Sequence, residues 1–334
     1  MASKITRRDF VKTSVSSVAA LSALSPLAFA VGGRAAAGRS KVAIVRTEDR
    51  RKGVAEVLKL LKVAVPKGKS ALIKPNFNTA DATPGSTHND TLRQLMTELW
   101  ERDVRAITIG ERSGPPVTKK VMEDKGVFDL ARDLRASIVN FEELADADWV
   151  PVGSAASHWS NGVFIPRVVA ESPFTVSTCC LKTHGSGGVF SMSLKLAVGM
   201  TPKRLMREMH GDREDMRRRI AEINLGYKPA LIVMDGVEVF TDGGPSRGNL
   251  VAGNVFVGGT DRIAVDAVGL AILKELGANA AIMGRKIFEH DQIQRAVELG
   301  LGITAANQIE FVTGDAASRA YADKIKARLA QDAG

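Results

Sequence analysis

The sequence has few of the residues on which several classes of protein depend. Its 334 residues include only two cysteines and 5% aromatic residues. A disulfide scaffold needs several cysteine pairs, and an iron–sulfur cluster needs about four ligands, so the chain's own cysteines support neither. The scarcity of aromatic rings also leaves little for stacking on single-stranded nucleic acid. With 45% hydrophobic and 25% charged residues, the composition is that of an ordinary globular protein.

The two cysteines are neighbours, Cys179 and Cys180, inside the apolar run Phe174–Leu181. Adjacent side chains of a strand point to opposite faces, and a disulfide between neighbours is strained. We therefore predict two packed thiols and no iron–sulfur cluster from the chain's own cysteines.

Long apolar runs are also missing, because no segment reaches the roughly 18 apolar residues of a membrane span. The amino terminus instead resembles an export signal. Arg7 and Arg8 are followed by Phe10 and Lys12, which is the twin-arginine pattern, and an apolar stretch rich in Ala and Ser comes next. An A-x-A cleavage motif ends at Ala30. We predict a signal peptide over residues 1–30, with a second cleavage choice at residues 35–37.

This signal has consequences for location and partners. We predict a periplasmic protein that is exported by the twin-arginine export machinery and has no stable membrane span. Residues 31–40 then form a linker, and residues 41–334 form a single α/β domain.

The chain carries a net charge of +9, which bears on its ligands. Many basic residues between Lys203 and Glu222 are interleaved with acidic ones, which is typical of a solvated helix face. No nucleic-acid-binding motif accompanies them. We therefore predict an anionic small molecule as the partner, and no nucleic acid.

Short apolar segments alternate with helical periodicities along the mature chain. This alternation predicts a mainly parallel sheet with helices on both faces. Trp149–Val152 and Val163–Ile165 predict an inserted β-hairpin. The predicted sheet strands are residues 41–46, 70–74, 106–110, 137–141, 174–181, 230–234, 255–257 and 309–312.

Polar residues follow four of these strands. Ligands of open α/β sheets bind at the carboxyl ends of strands, so we expect these residues to share one cleft. The four strand ends are Lys74-Pro75-Asn76, Gly110-Glu111-Arg112, Lys182-Thr183-His184 and Asp235-Gly236.

A glycine-rich loop after His184 is the sharpest signal. Gly187 and Gly188 precede a predicted helix, where backbone N–H groups can approach an anion. The spacing of a phosphate-binding P-loop is absent, so nucleoside-triphosphate chemistry is unsupported. The alternative interpretation is a flexible lid without a ligand. A second glycine-rich segment, Thr241–Gly248, contains Arg247 and is expected to cover the same cleft.

The candidate roles follow from residue type. His184 is predicted as a general acid–base or a metal ligand, beside the catalytic candidates Lys182 and Lys195. Ligand binding is assigned to Lys74, Asn76, Gly187, Gly188 and Arg247. The candidate metal ligands are Glu111, His184, His210 and Asp235, although His210 alone reads as a helix-end residue that contacts carbonyls.

Several motifs follow one another along the chain in an order that is itself informative. They include Lys74-Pro75-Asn76, Lys182-Thr183-His184, Ser193-Leu194-Lys195, Met209-His210, Met234-Asp235-Gly236 and Gly259-Thr260-Asp261. Together these motifs resemble the domain-of-unknown-function 362 family, over about Val42 to Gly314.

The resemblance implies the fold but no particular reaction. Many members carry ferredoxin-like clusters, for which this chain lacks the cysteines, and Leu196 stands where members often have Asn. The layout of the polar strand ends also resembles that of nickel-pincer racemases.

Three functional hypotheses stay open at this point. The first is an exported enzyme or cofactor-handling protein that binds an anionic ligand, with a metal ion or metal cofactor as a further expectation. The second is a periplasmic ligand-binding protein without turnover. The third is an accessory partner of a redox complex.

The export signal gives a direct test. Replacing both Arg7 and Arg8 by Lys is expected to leave the precursor in the cytoplasm, because the export machinery recognises the paired guanidinium groups. Cell fractionation measures this outcome, with Lys4→Arg as a control outside the pair. Normal periplasmic accumulation of the double variant would show that the assignment is wrong.

Overall fold

Eleven strands occur in the described part of this computed structural model, residues 38–153 and 157–333. The predicted signal peptide and most of the predicted linker lie outside these residues. The strands are β1 (Ser40–Arg46), β2 (Ser70–Lys74), β3 (Ala106–Glu111), β4 (Ser137–Asn140), β5 (Trp149–Val152), β6 (Val163–Pro166), β7 (Thr175–His184), β8 (Val189–Phe190), β9 (Leu231–Gly243), β10 (Gly248–Gly259) and β11 (Ile309–Val312).

Twelve α-helices and several short 3-10 segments connect these strands within the described ranges. The 3-10 segments Ala197–Met200 and Lys203–Leu205 matter for the site. The helices are α1 (Arg50–Leu61), α2 (Asn89–Trp100), α3 (Thr118–Asp124), α4 (Val127–Asp133), α5 (Arg167–Ala170), α6 (Ser193–Leu196), α7 (Met206–Met209), α8 (Arg213–Ile223), α9 (Arg262–Glu275), α10 (Ala280–Met283), α11 (Asp291–Glu298) and α12 (Ala316–Ala333).

Nine strands form one sheet in the order β11-β1-β10-β9-β7-β2-β3-β4, with β8 paired to β7. The run from β9 through β7, β2 and β3 to β4 is parallel throughout. Strand β10 is antiparallel to both of its neighbours, β1 and β9. The prediction of a mainly parallel α/β sheet is therefore confirmed.

Helices cover both faces of this sheet, since two separate hydrophobic clusters pack against it. One cluster joins strand residues such as Ile73 and Val233 to Leu92 and Leu95 of α2. The other joins Leu181 and Met234 to the buried residues of α9. The predicted hairpin is also present, as a separate antiparallel pair of β5 and β6.

Two strands are longer than the sequence predicts. The predicted strands at 230–234 and 255–257 are portions of the long antiparallel pair β9 and β10. Polar residues such as Asp235 and Glu238 interrupt the apolar pattern, although both lie within β9. Asp235 is therefore not at a strand end, and the glycine-rich segment after it is the turn of a hairpin.

The segment after β7 also differs from the single helix that the sequence predicts after Gly188. It contains β8, the one-turn helix α6 and the 3-10 segment Ala197–Met200. Helix α6 begins at Ser193 because the carboxylate of Asp266, on α9, accepts the backbone N–H groups of Ser193 and Leu194 at 2.8 and 2.9 Å. Asp266, which lies among apolar residues of α9, thus caps the neighbouring helix α6. Burial raises the pKa of Asp266 to about 7.

The cysteine and membrane predictions concern residues that the structure describes. Cys179 and Cys180 are buried free thiols, and burial raises the pKa of both, that of Cys180 to about 11. They are the packed thiols that the sequence predicts. None of the helices in residues 38–153 and 157–333 combines the length and the apolar character that crossing a bilayer requires.

The cap supplied by Asp266 predicts a stability effect. Asp266→Ala should lower the free energy of unfolding by about 1–3 kcal/mol, because two buried N–H groups lose their acceptor. Chemical denaturation measures the loss, and Asp323→Ala, an exposed aspartate on α12, is the matched control. Equal stability of the two variants would contradict the cap.

Candidate functional site

A cavity of about 420 Å³ opens where β2, β3 and β7 end. This volume lies in the range of small-molecule sites. Parallel strands bring their carboxyl ends to one edge, which is why three of the four predicted strand ends meet here. The lining residues with functional groups are Lys74, Asn76, Asn78, Glu111, Arg112, His184, Ser186, Ser191, Lys195, Lys203, Met206, Met209 and His210.

The floor of the cavity holds a buried ion pair between Lys74 and Glu111. Lys74 Nζ lies 2.5 Å from Glu111 Oε1 and also donates to the carbonyl of Pro75 at 2.6 Å. The carboxylate of Glu111 accepts the backbone N–H groups of Phe77 and Arg112 as well. Both side chains are 1% exposed, and burial lowers the pKa of Lys74. The pair is therefore saturated by protein donors and acceptors.

Arg112 ties this floor to the 3-10 segment Ala197–Met200. Its guanidinium donates to the carbonyls of Ser113 and Thr201 at 2.9 and 2.8 Å, and to that of Val198. Burial lowers the pKa of Arg112 to about 10. The bonds orient the segment so that Gly199 faces the ion pair.

Lys195 and His184 form the opposite wall. Lys195 lies on α6, and His184 is the last residue of β7. An ideal Cβ on Gly188 would lie 2.8 Å from His184 Nδ1 and 3.1 Å from Lys195 Cε, so only a residue without a Cβ fits between them. The glycine-rich loop therefore lets the two side chains approach each other.

The pKa values of both groups lie below their ordinary values. Burial, followed by the charges of Lys195 and Lys182, lowers the pKa of His184 to about 2. Burial, followed by the charges of Lys182 and Arg112, lowers the pKa of Lys195 to about 8. His184 Nδ1 is buried without a hydrogen-bond partner, and within residues 38–153 and 157–333 the ammonium of Lys195 has none either.

Other predicted residues line the same cavity with structural contacts of their own. Asn76 donates its amide to the carbonyl of Gly85 at 3.1 Å. His210 ends helix α7, and its Nδ1 lies 2.7 Å from the carbonyl of Met206, which is the helix-end contact that the sequence left open.

Lys182 and Asp235 lie outside the lining of this cavity. The ammonium of Lys182 donates to the carbonyls of Pro84 and Gly85 at 2.7 and 2.6 Å, so it anchors the loop after β2. The carboxylate of Asp235 accepts from Arg50 and Thr91, both at 2.9 Å, and thereby joins β9 to α1 and α2. The structure gives neither side chain a place in the cavity wall.

Gly187, Gly188 and Arg247 are also absent from the lining. Gly187 has a φ of +85°, and its carbonyl accepts from Arg217 at 3.1 Å. Arg247 is exposed in the β9–β10 turn, while its neighbour Pro245 borders the cavity. The turn contacts the glycine-rich loop, because Gly185 N–H donates to the carbonyl of Gly244 at 3.2 Å.

The predicted metal ligands do not form a set. Glu111, His184 and His210 line the cavity, but Asp235 does not, and Glu111 is already bound to Lys74. Among the residues that the structure describes, no three His, Cys, Asp or Glu side chains are grouped to hold a metal ion. In this arrangement the carboxylates of Asp235 and Glu111 are occupied by Arg50 and Lys74 and are not available as metal ligands.

Sequence reasoning missed several contributors to the site, among them Asn78, Ser186 and Ser191. Gly199, Lys203 and Met209 border the cavity, and Lys203 donates to Glu142 Oε1 at 2.6 Å. Met206, Met209 and His210 follow helical spacing, which indicates one shared face of α7. Nothing in the sequence signals that Gly199 would meet the pair of Lys74 and Glu111.

Comparison with known proteins gives one family match and a distant structural similarity. The family model "Domain of unknown function (DUF362)" matches residues 71–271, more than half of the chain. No curated protein matches the sequence. The lactate racemase apoprotein from Thermoanaerobacterium thermosaccharolyticum is similar with a TM-score of 0.44 and 14% identity, over 67% of this chain and 54% of that protein. The chain spans about half the length of that racemase.

The close approach of Gly199 to the ion pair predicts a steric effect. In Gly199→Ala the added methyl would lie 2.7 Å from Glu111 Oε1 and 2.8 Å from Lys74 Nζ. We expect a loss of about 1–3 kcal/mol in the free energy of unfolding, because the buried pair has no room to move. Gly153→Ala, whose methyl would meet nothing within 4 Å, is the control in the same denaturation series. A Gly199→Ala variant as stable as this control would refute the tight contact.

Proposed function

The chain belongs to the DUF362 family, and from that premise we propose that it is an enzyme that binds a small anionic molecule in the cavity at the strand ends. In this proposal Lys195 provides the charge that holds the anion. His184 is the group that accepts a hydrogen bond or a proton from it.

The proposal rests on the positive charge of the residues that line the cavity. Four cations line the cavity, Lys74, Arg112, Lys195 and Lys203, against the single carboxylate Glu111. Glu111 neutralises Lys74, and Glu142 neutralises Lys203. The two remaining positive charges favour an anion, because a cleft with walls of low dielectric concentrates ligands of the opposite charge.

Lys195 is the cation that is free to bind a ligand. The guanidinium of Arg112 is occupied by backbone carbonyls, whereas Lys195 has no hydrogen-bond partner among the described side chains and backbone groups. A bond between an ammonium and a carboxylate or phosphate is shorter and stronger than a bond between neutral groups. An anion in contact with Lys195 would therefore gain both charge compensation and a hydrogen bond.

His184 supplies a neutral nitrogen beside that cation. Its pKa is low because of burial and the neighbouring lysine charges, so the imidazole accepts a hydrogen bond at neutral pH. An anion bound between Lys195 and His184 would compensate those positive charges and raise the pKa of His184. Ligand binding would thereby shift the pKa of His184 toward the values at which a histidine acts as a general base.

We further propose that this activity is periplasmic, because the sequence predicts an export signal over residues 1–30. A ligand-binding protein without turnover would use the same cationic cavity, and an accessory partner of a redox complex would present it to another protein. A metal cofactor that His184 and His210 contact is a further occupant to test, by metal analysis of protein purified after native export. The unpaired Nδ1 of His184 favours an enzyme, since a group that only binds an anion needs no unprotonated base.

Anion binding can be measured directly with phosphate and oxalate as probes. Lys195→Met should weaken binding by about 1–3 kcal/mol, the value of a charged hydrogen bond. That is roughly a fivefold to 150-fold rise in Kd by calorimetry. Lys195→Arg keeps the charge and should retain most of the affinity.

Lys326→Met, an exposed lysine on α12, is the control for the loss of one positive charge. If Lys195→Met and Lys326→Met both bind the two probes as the wild type does, Lys195 does not bind the anion. That outcome favours the interpretation of the glycine-rich loop as a lid. If the wild type binds neither probe, the anion proposal is wrong.

A further inference from the structure

Three buried or half-buried lysines of the described part of the chain have hydrogen-bonded partners near the strand ends, and half-buried Lys125 places its ammonium 5.3 Å from the ring of Phe77. Lys74 is bound to Glu111, Lys182 to two carbonyls of the loop after β2, and Lys203 to Glu142. Lys195 is half-buried, lines the cavity and has no partner among the described groups. A lysine that only stabilised the fold would be expected to have one, because burying an unpaired charge is costly.

The surroundings of Lys195 suit a free amine. Burial and the charges of Lys182 and Arg112 lower its pKa to about 8, so an appreciable fraction is unprotonated at neutral pH. A lysine that burial and nearby cations activate in this way is a nucleophile toward carbonyl groups. The imidazole nitrogen of His184, which also lacks a partner, lies across Gly188 from it.

We propose that Lys195 attacks the carbonyl carbon of a small oxo acid and forms a covalent imine with it; this inference rests on the anion-binding function proposed above. The nitrogen lone pair of Lys195 forms the C–N bond while the C=O π bond opens. One proton of the amine moves to the oxygen and gives a carbinolamine. The second N–H proton and the hydroxyl then leave as water, and the C=N bond forms.

The substrate class follows from the cavity. Its volume of about 420 Å³ suits a small molecule, and its positive charge favours a carboxylate on that molecule. The hydroxyls of Ser186 and Ser191 and the amide of Asn78 line the same space and can bind the carboxylate oxygens. The imidazole of His184, which lines the same cavity, accepts the amine proton and returns it to the departing oxygen, so that the reaction needs no outside acid.

Reductive trapping tests the proposal, with pyruvate and glyoxylate as probes. The full chain is incubated with either probe and cyanoborohydride, and the adduct is located by intact mass and peptide mapping. We expect one reduced adduct per chain on Lys195 and none on Lys182, whose ammonium is held by two carbonyls. His184→Asn should slow trapping about 100-fold without moving the adduct, as the loss of a proton-transfer group does.

Two variants separate the covalent step from binding. Lys195→Arg keeps the charge but forms no imine, so it should bind pyruvate by calorimetry and yield no adduct. Lys326→Met should be trapped as the wild type is. Circular dichroism checks that each variant is folded.

The outcomes distinguish this inference from the function on which it rests. Binding of pyruvate without a reduced adduct on Lys195 overturns the imine and leaves the anion-binding function in place. Neither binding nor an adduct overturns both. An adduct spread over exposed lysines, at the same rate in Lys195→Arg, also overturns the imine.

Discussion

The buried ion pair between Lys74 and Glu111 is the contact on which the arrangement of the cavity depends. Its atoms lie 2.5 Å apart at the ends of two adjacent parallel strands. Since a buried charge left without its partner costs about 3–5 kcal/mol, neither side chain can turn toward a ligand alone. The pair therefore joins β2 to β3 and sets the position of Gly199. Because Lys74 and Glu111 bind each other, neither charged group is available to react with a ligand.

The opposite wall depends on a cap that comes from a distant part of the chain. Asp266 lies on α9 and holds the first N–H groups of α6, a helix of one turn that could not persist without such support. Helix α6 in turn carries Lys195 to the cavity, and the absence of a Cβ at Gly188 lets His184 reach it. Lys195 and His184 thus lie on either side of Gly188 because two structural residues leave room and support for them.

Much of the site was predictable, and its exceptions have physical causes. The apolar strands end at Lys74, Glu111 and His184, and their convergence follows from parallel pairing alone. Asp235 occupies a similar place in the sequence, but β9 continues past it as a hairpin, and Arg50 binds its carboxylate. Strand length here is decided by pairing with β10, which a local pattern of polar residues does not reveal.

The sequence by itself determined the α/β class, the mainly parallel sheet, the hairpin of β5 and β6 and the packed thiols, because these follow from local periodicity. It did not distinguish Lys182 from Lys195, two lysines near one strand end with equally basic side chains. Only the tertiary structure distinguishes them. The ammonium of Lys182 donates to the carbonyl of Gly85, 97 residues away, whereas the ammonium of Lys195 has no hydrogen-bond partner in the described part of the chain. A side chain becomes free or occupied through contacts between distant segments, and such contacts leave no trace in the local sequence.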